Sequence, residues 1–398
     1  MSPRFSPTSS SRAFSTPTLF VASTVVMTAA FLLREARSPE ATNENAAAKI
    51  SSTRLNTLLE KTRFVSDARA LRLLERTLRA DNVLIYNADY TTTASFGERR
   101  MISKAHLQRA PKRLNIRYLS GAREGLELGF NERWFWRRDG EKPMQAYVEV
   151  ALRPDEMVQR RFQIMRINYG ARLLKPAISN ARPCDVVEVR RLQPLEGAIG
   201  PWKRLWIDRQ TGLTLRTDSY NHQGKLVMRS QLSNLEIQRE VRPPDFVTPA
   251  RMVSVAQQKP WMYEEMNADW ARVEKTTGVA PPKVVQLPPG FAFDSVGSHR
   301  FDSQSAPTAA LTRFTDGLNV ITVFALKYQK SAQKNVPTSC DFGMGTMVMH
   351  ELPNGISLLA VGDLPAPMLQ KMLATTTVAV TNPSSAPLSC ETATTSTR

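Results

Sequence analysis

The sequence predicts an α+β chain, in which an antiparallel sheet packs on helices and a small second α+β domain follows. Three observations predict it. The apolar spacing changes from a helical repeat to a two-residue alternation near residue 80, and seven segments rich in β-branched or aromatic residues then follow one another. A Pro-bounded stretch separates them from a shorter set of strands that ends in a helix. The 398 residues are 42% apolar and 22% charged, which gives room for two domains of ordinary size.

Residues 1–49 read as an export segment and linker. Arg4 and Arg12 precede the uncharged run Leu19–Leu33, which has the length of a signal-peptide core and falls short of the ~20 residues of a full span. It is read as a cleaved signal or an uncleaved anchor, because Arg34-Glu-Ala-Arg37 offers no small-residue cleavage site and no lipoprotein cysteine follows. Only this run could reach across a bilayer, so a channel or transporter is excluded.

The first domain is expected over residues 50–250. Leu55, Leu58, Leu59, Val65, Leu71, Leu74 and Leu78 recur at helical spacing, as one broken helix or two, with Asp67 placed to cap the second. The expected strands are Asn82–Tyr90, Arg113–Ser120, Glu132–Arg138, Cys184–Arg191, Lys203–Asp208, Leu213–Asp218 and Lys225–Ile237. A helix led by Pro154 interrupts them over 153–169. Gly212 and Gly224 mark two tight turns.

Residues 251–282 are expected as a connector, with room for a short helix near 263–277. A second domain over 283–374 follows, with strands at 318–326, 345–351 and 355–361 and a helix at 365–374. The Thr-, Ser- and Pro-rich stretch 375–398 reads as a disordered tail.

The sequence has no GxSxG, HExxH or CxxC, and its four His and three Cys are scattered, so no catalytic residue, metal site or cofactor is expected. Cys184 opens an apolar strand and is expected buried, whereas Cys340 and Cys390 could pair in an oxidising compartment. The formal charge of +17 calls for acidic or anionic counterparts. The basic pairs Arg99-Arg100, Arg137-Arg138, Arg160-Arg161 and Arg190-Arg191 are dispersed rather than gathered on one helix, which argues against a nucleic-acid partner.

Several ordered pieces carry a family resemblance: Tyr86-Asn-Ala-Asp-Tyr90, Ala110-Pro-Lys-Arg113, Trp134-Phe-Trp136, Arg204-Leu-Trp-Ile-Asp208, Gly212-Leu-Thr-Leu-Arg216 and Gly224-Lys-Leu-Val227. In the second domain they are Leu287-Pro-Pro-Gly-Phe291, Asp316-Gly-Leu318 and Gly362-Asp-Leu-Pro365. Together the set resembles the sigma-E regulatory protein RseB/MucB family, whose first domain is similar to the lipoprotein carriers LolA and LolB. The resemblance implies an antiparallel half-barrel wrapped on helices, without catalysis. It also implies an apolar cavity for lipid or acyl chains, and a membrane-anchored anti-sigma factor as the partner, held outside the cytoplasm.

Ile85, Ile116, Tyr118, Trp134, Trp136, Leu213 and Leu215 alternate so as to supply the cavity's apolar wall, or equally a closed core beneath the helices. Leu287, Pro288 and Phe291 are the residues expected near the partner. A lipid or lipoprotein carrier is the alternative function, with lipid, acyl chain or lipoprotein as its ligand.

Overall fold

The computed structural model describes residues 64–379 except 98, 112, 132–133, 142–144, 149–153, 201, 241–262, 267–268, 301–307 and 328–338. The expected export segment, the linker, the start of the first helical stretch, Cys390 and the tail beyond residue 379 lie outside them.

The described residues begin along a sheet edge. Phe64 lies on one face of that edge, with the Arg172 guanidinium 5.3 Å above its ring. Asp67 N donates to Ala171 O at 2.6 Å, and Ser66 Oγ accepts from Ala171 N at 3.1 Å. Beyond this crossing α1 (Ala68–Val83) begins on the other face, with Asp67 accepting from Arg69 N as its cap. The expected cap is therefore the real one. Leu84 has extended backbone and ends the helix.

The first sheet is antiparallel. It comprises β1 (Ile85–Phe96), β2 (Arg99–Ala110), β3 (Arg113–Ser120), β4 (Leu126–Asn131), β5 (Trp134–Asp139), β6 (Gln145–Val148), β7 (Tyr169–Leu173), β8 (Ala177–Ser179), β9 (Arg182–Arg191), β10 (Trp202–Asp208), β11 (Thr214–Tyr220) and β12 (Leu226–Gln238). Their order is β6-β5-β4-β3-β2-β1-β12-β11-β10-β9-β7, with β8 beside β9, so β6 and β7 form open edges and the half-barrel is unclosed. The long-range joint is β1 on β12, where Tyr86 faces Ile237 and Tyr90 faces Leu232.

Alternation decides which side is buried. Tyr86, Ala88 and Tyr90 of β1, Ala105 and Leu107 of β2, and Leu205 and Ile207 of β10 point inward. α1 and α2 (Pro154–Asn168) cover that inner face, where Ala70, Leu74 and Met165 meet Tyr169, Ala171, Val187, Val189, Leu205 and Ile207. Each Leu, Ile, Val or Met side chain among them taken from water stabilises the fold by roughly 1.5–3 kcal/mol. α2 matches the expected helix, and Gly224, at φ +80°, makes the expected turn so close to Trp202 that a β carbon would meet its ring at 2.7 Å.

The strand reading missed β2, β4, β6, β7 and β8. β2 (RRMISKAHLQRA) has two alanines, Ala105 and Ala110, among its buried positions, so its apolar alternation is faint. β6 to β8 are each five residues or shorter.

The second sheet runs β13-β15-β16-β17-β20-β19-β18, all antiparallel: β13 (Tyr263–Met266), β15 (Ala292–Arg300), β16 (Thr308–Thr315), β17 (Val320–Lys327), β18 (Ser339–Asp341), β19 (Thr346–Glu351) and β20 (Ile356–Gly362). α3 (Trp270–Thr277) buries Val273 against Val296 and Ala310, while α4 (Ala366–Ala374) buries Leu369, Met372 and Leu373. β13 and α3 thus bring part of the expected connector into this domain. β14 (Lys283–Val284) pairs with β21 (Thr376–Thr377), which draws the first residues of the expected tail into a small sheet.

The two domains share apolar cores. Leu195 and Ala198, between β9 and β10, pack with Phe291, Phe314, Ile321 and Leu364. Ala94, Val227 and Met228 pack with Leu311, Phe324, Phe342 and Met344. Shared cores of this kind oppose free movement of one sheet against the other.

Candidate functional site

Four expected cavity residues come together on the inner face. Ile116, Tyr118, Leu213 and Leu215 are all buried in one cluster with Tyr86, Tyr90, Leu107, Leu128, Leu232 and Ala80 of α1. Ile85 is half-buried and, one residue from inward-facing Tyr86, lies on the opposite face. The backbones of Trp134 and Trp136 pair with Asn131 and Gly129, and their side chains lie outside the described residues.

Three tyrosines give this apolar cluster a polar rim. Tyr86 donates to Asp81 Oδ1 at 2.8 Å, and Arg109 stands 3.6 Å from the other oxygen of the same carboxylate. Burial, then the Asp81 charge, push the Tyr86 hydroxyl well above its ordinary pKa. Burial likewise raises Tyr90 and Tyr118, and the Tyr118 oxygen accepts from Arg123 at 3.0 Å. The tyrosine hydroxyls of this apolar cluster stay protonated at neutral pH.

The second candidate is the junction. Arg191 donates to Asp316 Oδ2 at 2.5 Å, Tyr169 donates to the same oxygen at 2.6 Å, and Asn319 Nδ2 donates to the Tyr169 hydroxyl at 2.6 Å. Arg161 reaches Asp294 at 2.6 Å, and Arg160 donates to Phe293 O at 2.6 Å. On the far side His222 meets Asp363 Oδ1 through its backbone N–H at 2.9 Å and its ring Nδ1 at 3.0 Å, while Asn221 donates to Gly343 O at 2.8 Å. Burial raises the Asp363 carboxyl despite the hydrogen bonds from His222. Between the two anchor points Lys203 is buried, and burial lowers its pKa to about 8 against the pull of Asp316 and Asp363.

Arg160-Arg161 and Arg190-Arg191, two of the dispersed basic pairs, are therefore engaged within the chain. Arg191, Arg161 and Arg160 hold the second domain, and Arg190 pairs with Glu188 at 2.8 Å. The sequence had no means of naming Asp316 and Asp294 as their partners, since the acids lie more than a hundred residues downstream.

The loop expected near the partner lies at this same junction. Arg191 donates to Pro289 O and Asn168 to Gly290 O, each at 2.7 Å. Leu287 is half-buried against the second core, Pro288 is buried, and Phe291 is 8% exposed within that core beneath Arg191. Pro288 and Phe291 thus shape the loop from inside. The three second-domain pieces that carry the family resemblance supply Pro289 and Gly290, Asp316, and Asp363. All three face the first domain.

Within the described residues, no three His, Cys, Asp or Glu gather as metal ligands, and no helix is long and apolar enough to cross a membrane.

Residues 202–251 match the MucB/RseB N-terminal domain family. They span β10 to β12 and contain the Arg204–Asp208, Gly212–Arg216 and Gly224–Val227 pieces. The fold is similar to MucB in the Pseudomonas aeruginosa MucA/MucB complex, at 19% identity and TM-score 0.51, covering 78% of this chain and 99% of that one. It is similar also to MucB in complex with MucA(peri), at 17% identity and TM-score 0.50, covering 77% and 98%. A LolA superfamily protein from Nitrosomonas europaea aligns over 46% of this chain and 99% of its own, at 10% identity and TM-score 0.23. No curated protein sequence matches the chain. The resemblance to the RseB/MucB family and the expected fold class are borne out.

Proposed function

We propose that the chain is an exported, non-catalytic regulator that holds the extracytoplasmic part of a membrane-anchored, anti-sigma-factor-like protein. One observation carries this reading. The fold likeness runs through both domains to a protein solved with MucA, and covers 99% of that protein. A carrier would need only the first domain. Leu287, half-buried at the rim of the junction loop, is the partner contact in this proposal.

The test is affinity capture of the exported portion from its own envelope at low salt, identifying proteins and lipids together. Recovery of a single-span anti-sigma-like protein, weakened by Leu287→Asp, is the expected result. Reproducible recovery of lipid without such a protein would replace the regulator by a lipid or lipoprotein carrier.

The carrier reading keeps one observation on its side, the apolar inner cluster around Tyr118, Leu213 and Leu215. On that reading Trp134→Ala with Trp136→Ala lowers binding of an acyl-chain probe while the sheet stays folded. Loss of folding without probe binding by the parent would leave a closed core.

A further inference from the structure

The outer face of the first sheet, turned away from α1 and α2, carries a charge ladder. Arg172 on β7, Glu188 on β9, Arg204 on β10, Asp218 on β11 and Arg229 on β12 are consecutive cross-strand neighbours. Glu188 accepts from Arg172 and Arg204, each at 2.8 Å, and pairs with Arg190 at 2.8 Å. Asp218 accepts from Arg216 at 2.6 Å and from Arg229 at 2.8 Å.

The pairing is unequal, and that is its meaning. Five guanidiniums share two carboxylates. Glu188 and Asp218 are 0% and 2% exposed, whereas Arg172, Arg190, Arg204, Arg216 and Arg229 are 48%, 34%, 36%, 26% and 37% exposed. The acids are sunk beneath the cations, so solvent meets only positive charge, with a net excess of three. Alternate rungs sit about 10 Å apart, two strand spacings.

The guanidiniums are also fixed in place. Arg216 lies 4.0 Å over the Trp206 ring, Arg190 lies 4.6 Å over Trp202, and Arg204 lies 5.4 Å over Tyr220. A stacked, carboxylate-held guanidinium keeps unused N–H donors and loses little freedom when an anion arrives.

We propose that this face docks on an anionic membrane, with the guanidiniums of the ladder on the phosphates of acidic phospholipid headgroups. Charge complementarity selects this occupant: along the ladder both carboxylates are buried and every exposed charged group is a guanidinium. The proposal rests on export, and is independent of which protein the junction holds.

Each basic residue near an anionic surface strengthens docking roughly fivefold, so an excess of three gives about a hundredfold, reduced by salt. The experiment uses the full chain reconstituted into phosphatidylcholine vesicles, with or without phosphatidylglycerol. Arginine labelling by phenylglyoxal is read residue by residue. Protection of Arg172, Arg204 and Arg229 only when phosphatidylglycerol is present, and lost at high salt, is the expected result. Arg190→Gln with Arg216→Gln leaves both carboxylates a remaining arginine partner, and should lower that protection about 25-fold by the same factor per charge. Equal labelling in both vesicles would overturn the proposal. Protection by added polyglutamate but not by phosphatidylglycerol would also overturn it, and would give the face to an acidic protein.

Discussion

Arg191 and Asp316 face each other across the domain boundary at 2.5 Å, with side chains 6% and 0% exposed. Neither has solvent to fall back on, so the two domains hold a charge pair that only their contact can satisfy. Breaking such a pair from one side costs about 3–5 kcal/mol, because the other charge stays buried. Asp316→Ala is expected to lower unfolding free energy by that amount, while Arg191→Met with Asp316→Leu recovers most of it. Denaturant unfolding of the two variants checks this, and equal losses would contradict it.

Gly317 follows in the same turn, at φ +97°, where a β carbon would lie 2.3 Å from Met165 N of α2. Gly355 has φ +75° with nothing within 4 Å of its β-carbon position. Both alanine variants meet backbone strain of about 1–2 kcal/mol, but only Gly317→Ala pushes α2 from the second domain. Its loss of stability is expected to be the larger of the two, read from urea midpoints at constant slope.

His299 on β15 is 1% exposed, edge-on to Phe324 at 5.7 Å, and burial lowers its pKa to about 4. The folded state keeps this imidazole neutral, while the unfolded chain protonates it below its ordinary pKa. Its contribution is full above pH 6.5 and is lost as pH falls toward 4, by about 3 kcal/mol. His299→Phe should flatten that part of the stability profile. A wild-type profile level from pH 7 to 4 would refute the sign.

Cys184 is buried and Cys340 half-buried, and burial raises both thiols. Cys184 is expected to react with a thiol reagent only on unfolding. Counting thiols on the unreduced, denatured protein decides whether Cys340 and Cys390 pair: three free thiols exclude the bridge, and one leaves a crosslink worth roughly 4 kcal/mol in chain entropy.

The sequence was legible where burial follows a short period. β3 and β10 stand within a residue or two of their expected positions because Leu114, Ile116 and Tyr118, or Leu205 and Ile207, alternate cleanly inward, and α2 does because Pro154 marks its start. β2 was illegible because small Ala105 and paired Arg109 occupy inward positions that an apolar pattern would have marked. The second-domain motifs were visible, but their task was not. Asp316 and Asp363 meet Arg191 and His222 only through tertiary structure, so one-dimensional reading assigned the excess of arginine to an outside partner. Part of that excess is the chain's own fastening.

β1 lies between β2, its immediate successor, and β12, which ends the domain. A chain is made N-terminus first, so the hairpin that Tyr86 and Tyr90 begin can form early, while the other margin of β1 waits for Leu232 and Ile237. Until then a long strand stands with unpaired backbone and two tyrosines bare, a template for any neighbouring chain. The chain is therefore open to misassembly for as long as the stretch between β2 and β12 is still being made, and its yield should respond to chaperone supply more than to the stability of the finished fold.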